Sequence, residues 1–241
     1  MTEALSGRHF HGPDSQIKVA ICRCMVYLAE NDWPKQWPNL LPQFQNILEQ
    51  SYTGDPRTYS QCEMVFLIVG RLIEEVQTMS TMAEDSPRHK ELQNSLKASV
   101  KPIIEMTVAR LQLCSAELSA SIGQVNGMSA PSQSVHEIAP LIARVGIELL
   151  SSIVEWGSVN VLEECCSTLI EVLTPYLHIQ THGVCIETAK CLRGLASRRV
   201  TAKDRETALV SALLSNSAIE ALTKAVRYEK ADDLVFKVSL F

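Results

Sequence analysis

No run of about 18 consecutive apolar residues occurs in the chain, so the sequence offers no helix able to cross a membrane. Met1–Gly12 likewise lacks the apolar centre of a secretory signal. Aromatic residues are scarce at 5%, and aliphatic side chains supply most of the 46% hydrophobic content. That balance favours helix packed on helix over a sandwich or barrel. Positive charge is not in excess: 22 Lys and Arg against 27 Asp and Glu leave a formal net charge of −5. The chain therefore has no global electrostatic footprint for nucleic acid, and any RNA contact must be local. G-x-S-x-G, a glycine-rich phosphate loop and paired catalytic carboxylates are all missing, so no enzyme activity and no cofactor are expected. Glu74-Glu75 and Glu163-Glu164 read as solvated helix charge.

A C-x-x-C pair is absent too. The eight cysteines are Cys22, Cys24, Cys62, Cys114, Cys165, Cys166, Cys185 and Cys191. Most fall on apolar helix faces, where a free thiol behaves as a small buried hydrophobe. His178, His182, Cys185 and Cys191 come nearest to a metal set. Gly183 breaks the face the two histidines would share, and no metal is expected. Eight unpaired cysteines without a signal segment fit a reducing nuclear or cytosolic compartment.

What the chain does have is helical periodicity, and one unusual corner. Asp32-Trp33-Pro34-Lys35-Gln36-Trp37-Pro38 sits between two amphipathic segments. Proline biases the tryptophan before it away from the α region, so a helix over Gln16–Glu30 should stop before Trp33. Pro38 is placed to open the next helix, Pro38–Gln50. The indoles of Trp33 and Trp37 are expected to fold into the seam, making Trp33, Pro34, Trp37 and Pro38 a structural corner and not a cargo contact. On the first helix the expected apolar face is Ile17, Ile21, Cys24, Met25 and Leu28.

The pattern continues without a strand. Arg57–Met79 is a third helix, and Ser86-Pro87 caps a fourth that runs towards Leu113 with a kink or break at Pro102. Glu117–Ser134 reads as a loop. Val135–Glu155, Val159–Leu173, Gly183–Ser197, Thr201–Leu214 and Ser217–Arg227 follow as helices with short linkers. Short connections make sequential helices antiparallel neighbours, and a long series of such pairs is a solenoid. The expectation is an all-α solenoid of HEAT-like antiparallel helix pairs, a right-handed superhelix segment of roughly four to five pairs. Residues 1–15 form a loose leader, residues 16–241 the repeats, and both ends read as truncated because neither carries a polar capping face.

Several stretches carry a family resemblance. Ile17-Lys18-Val19-Ala20-Ile21-Cys22-Arg23 and the corner through Asn39-Leu40-Leu41 are similar to a helical-repeat pair near the N-terminus of exportins, in the importin-β (karyopherin) superfamily. Met64-Val65-Phe66-Leu67-Ile68-Val69-Gly70-Arg71-Leu72-Ile73-Glu74-Glu75-Val76 and Ala143-Arg144-Val145-Gly146-Ile147-Glu148-Leu149-Leu150, closed by Val154-Glu155-Trp156, resemble the branch that exports small structured RNA. The ordered series of matches from Ile17 to about Glu206 is more specific than any one motif.

The resemblance implies a shuttling receptor that binds cargo together with the GTP form of the Ran GTPase. It also implies passage through nuclear pores on Phe-Gly nucleoporins, with no chemistry and no membrane. Cargo would be hairpin RNA such as microRNA precursors, held mainly outside this chain. A protein-carrying exportin or importin, or a HEAT scaffold without a transport role, remains open. Separately, Arg193, Arg198, Arg199, Lys203 and Arg205 form a basic cluster that a phosphate or an acidic loop could meet, set against a solvated turn.

Overall fold

The computed structural model describes residues 16–50, 56–82, 86–123, 133–179 and 183–197. Among them are seven α-helices and no strand: α1 (Gln16–Asp32), α2 (Leu40–Gln50), α3 (Pro56–Met82), α4 (Pro87–Gly123), α5 (Gln133–Trp156), α6 (Val159–Leu173) and α7 (Val184–Ser197). A 3₁₀ turn, Thr174–His178, joins the last two. The expected helices Thr201–Leu214 and Ser217–Arg227 and the leader lie outside the described residues.

The helices sort by parity into two layers. α1, α3, α5 and α7 pack side by side in one, and α2, α4 and α6 do so in the other. The hydroxyl of Tyr59, early in α3, donates to Glu117, late in α4, at 3.1 Å, so these two helices run antiparallel. Lys18 near the start of α1 meets Glu63 in the first half of α3 at 2.7 Å, so neighbours within the odd layer run parallel. Antiparallel partners stacked into two parallel-running layers are what an α-solenoid requires.

The core is continuous between the layers. Phe44, Met64, Phe66, Ile68, Leu72, Ile103, Leu111, Ile147, Leu169 and Leu192 are all buried in it. Gly146 lets α5 approach closely, because a β-carbon there would lie 3.1 Å from the Phe66 ring and 3.3 Å from Leu111. Gly157 is required for a similar reason, since a β-carbon would come within 2.8 Å of the Ile153 carbonyl. Ser158 then caps α6, its hydroxyl accepting from the Val161 amide.

Four sequence expectations are corrected. The buried face of α1 is Lys18, Cys22, Val26 and Ala29, while Ile17 and Leu28 are 50% and 44% exposed. α1 carries apolar residues on nearly every side, so periodicity did not select a face; the Lys18–Glu63 pair and the fully buried Ala29 did. α2 starts at Leu40 and not Pro38, because the Asn39 carbonyl takes the Gln43 amide and starts the helical ladder. Of the kink or break expected at Pro102, the break does not occur: α4 runs through it, with that proline on the exposed side where water can serve the carbonyl it leaves free. The same helix continues through Glu117 to Gly123, and α5 begins at Gln133, so both intrude on the expected loop. Packing is the reason: Leu118 lies against the core and Glu117 receives the Tyr59 hydroxyl.

Candidate functional site

The corner is assembled by residues the sequence did not nominate. Trp33 is buried, and its peptide bond to Pro34 is cis. Trp37 is only half-buried, and its indole N–H donates to the Gln43 side chain at 3.2 Å, so one indole fills the seam and the other rests on its edge. The last turn of α1 leaves backbone carbonyls without helical partners. Arg88, in the first turn of α4, supplies them: Nε and Nη2 donate to the Glu30 carbonyl at 2.9 and 2.6 Å, and Nη2 also donates to the Trp33 carbonyl. Glu91 holds Arg88 from one side at 3.1 Å and Lys35 from the other at 2.9 Å. Sitting beside these two cations, Glu91 is held below the usual carboxylate range, chiefly by the Lys35 contact. The first helix pair is thereby pinned to the start of the next even helix. Pro34 and Pro38 shape the turn and donate nothing to it.

A groove with a volume of about 510 Å³ crosses the odd layer over α1, α3 and α5. Its floor is apolar: Cys22 and Phe66 are buried, Leu67 and Val145 half-buried, and Leu149 closes the far side. Gly70 keeps the middle open, since a β-carbon there would have Leu149 as its nearest neighbour at 3.9 Å. Three ion pairs stand around this floor, Lys18 with Glu63 at 2.7 Å, Arg71 with Glu74 at 3.0 Å and Arg144 with Glu148 at 2.8 Å, and Arg23 borders it as well. Burial pushes the Cys22 thiol up to about 11, so it is a protonated wall residue at neutral pH and no nucleophile. The groove can accept apolar side chains between charged edges.

Of the basic cluster, only Arg193 lies within the described residues, half-buried on α7. Arg198, Arg199, Lys203 and Arg205 lie outside them. Among the candidate metal ligands, Cys185 and Cys191 are buried within α7 and His178 is exposed, while His182 lies outside the described residues. The Arg88 clamp was not legible in advance, because its acceptors are backbone carbonyls that leave no residue-type signature. Gly70, within an otherwise bulky helical run, is the linear hint of the groove that the sequence offers.

Comparison with known proteins agrees with this architecture. A family model described as "Exportin 1-like protein" matches residues 14–192, a span that takes in α1 to α6 and most of α7. The chain is 25% identical over 232 residues to Exportin-5 from Mus musculus, and to the same extent to Exportin-5 from Homo sapiens. Each alignment takes in 95% of this chain and 17% of the relative, so the chain spans about a sixth of the length of these proteins.

Proposed function

Because the chain belongs to the Exportin 1-like family, we propose that it is a helical-repeat segment of a nuclear export receptor, working by binding and not by catalysis. The match over residues 14–192, on a chain that stacks its helices in two layers, is the observation that carries this reading. The finer reading is a receptor that takes small structured RNA, such as microRNA precursors, together with the GTP form of Ran. Similarity to the two Exportin-5 proteins supports it. Coupling would be cooperative: two ligands that favour one curvature of the same solenoid each raise the affinity for the other. The groove over α1, α3 and α5 suits the phenyl rings of Phe-Gly nucleoporins, having an apolar floor between charged edges.

The test uses the full gene product, immobilised and offered a short RNA hairpin with Ran loaded with either GTP or GDP. RNA retained only with the GTP form is the expected result. Retention indifferent to the nucleotide would make the protein a scaffold without a transport cycle. Retention of protein but never of RNA, still GTP-dependent, would favour the protein-cargo reading that the net charge of −5 also allows. For the groove, Val145→Glu should weaken capture on a Phe-Gly peptide resin by about ten-fold, the cost of placing a charge on an apolar contact.

A further inference from the structure

Four cations border the odd-layer groove, Lys18, Arg23, Arg71 and Arg144, against three carboxylates. Lys18, Arg71 and Arg144 each hold one of those carboxylates within 3.0 Å. Arg71 is engaged a second time, by Glu75 at 3.6 Å, outside the groove. Arg23 is the one left over. Exposed on α1, it makes no ion pair or hydrogen bond among the described residues. Its charge still reaches the floor: burial raises the Cys22 thiol, and Arg71 and Arg23 both pull against that rise. Val19, 50% exposed, stands one helical turn before Arg23 at the same rim. The α1 edge of the groove is thus an apolar step followed by an unpaired guanidinium.

Such an edge discriminates by charge. A peptide whose apolar anchor sits on the floor carries its neighbouring residues past this rim. Alternate side chains of an extended peptide point the same way, about 7 Å apart, so the residues that share the anchor's side are those two positions from it. A guanidinium presents paired donors that a carboxylate matches, whereas a lysine brought to the same place meets like charge. The carboxylates of the groove do not oppose an acidic ligand strongly, because each is already held by a cation. We propose that the groove over α1, α3 and α5 selects peptides in which an aromatic anchor has a carboxylate two residues away, with Arg23 as the counter-charge. This rests on the reading of the groove as a seat for phenylalanine and adds the chemistry of the flanking residue.

The test offers the full gene product three soluble peptides, Ser-Asp-Gly-Phe-Gly-Asp-Ser and the versions with Asn or Lys in place of both Asp. The quantity read is the part of the binding that Val145→Glu removes. The Asp peptide should bind about two- to five-fold tighter than the Asn peptide, the range for an exposed charge pair, and the Lys peptide should bind weakest. Raising the salt should shrink these differences. Arg23→Gln should bring the Asp and Asn peptides level, and Arg23→Glu should put the Lys peptide first. Arg23 is exposed, so neither change disturbs the core. Equal binding of all three peptides, still weakened by Val145→Glu, would leave the groove a seat for phenylalanine and overturn the role of Arg23. An Asp preference that survives Arg23→Glu would overturn it too, by placing the selection elsewhere. Binding of every peptide that ignores Val145→Glu would remove the phenylalanine reading itself, and the proposal with it.

Discussion

Arg88 does at one point what a helix end otherwise needs several groups to do. By donating to the Glu30 and Trp33 carbonyls it serves the exposed end of α1, and its positive charge also suits the negative pole of that helix. Replacing it with methionine keeps the stem and removes the donors, and should cost about 2–3 kcal/mol in urea unfolding, the range for bonds from a charged donor. Lysine should not restore it, because one ammonium cannot reproduce the planar fork. The titrating residues give a second expectation. Burial raises Cys114 and Cys191 from 9.0 to about 12, so the unfolded chain releases these protons near pH 9 while the folded chain keeps them. Their contribution is present below pH 9 and falls as pH climbs towards 12, as linkage requires. The urea midpoint should therefore drop between pH 8 and pH 10.5, and Cys191→Ala should flatten the decline.

At the scale of elements, α1 is the instructive case. Its two surfaces are both apolar enough to be core, and the one chosen carries a lysine, Lys18, 4% exposed and paired to Glu63. Glu63→Gln would leave that ammonium buried and unpaired, which should cost about 3–5 kcal/mol. Changing both residues, to Lys18→Met with Glu63→Leu, should recover most of the loss, and a double-mutant cycle in urea would measure it. The same helix marks the limit of pattern reading. Boundaries set by local chemistry were legible: α6 was expected at Val159–Leu173 and is found there, and Pro87 opens α4 as a first residue should, with the Ser86 carbonyl taking the Lys90 amide. Faces set by a neighbour were not, since a lysine in the core makes sense only once Glu63 of another helix is beside it. Beyond Gly70 the groove had no linear signal for the same reason: its walls come from three helices separated by about a hundred residues of chain.

Across the whole molecule, the number of packed neighbours governs stability. Among the described residues, α3 and α5 have neighbours on both sides within their layer as well as across it, whereas α1 packs in its own layer on α3. In a stack held by nearest-neighbour interfaces, elements with fewer interfaces open at lower free energy. Amide hydrogen exchange should accordingly be slowest in α3 and α5 and faster in α1. Equal protection throughout would mean that the stack opens as a single cooperative unit.

The chain has three tryptophans, and none stands in the middle of a helix: Trp33 and Trp37 occupy the turn from α1 to α2, and Trp156 ends α5 at the turn to α6. Ultraviolet-excited emission from this protein is therefore light from its joints. The turn between α3 and α4 contributes nothing to it. A ligand that flexes the stack at the α1–α2 or α5–α6 turn will change the spectrum without any added label, while one that only fills a groove between helices will leave it unchanged.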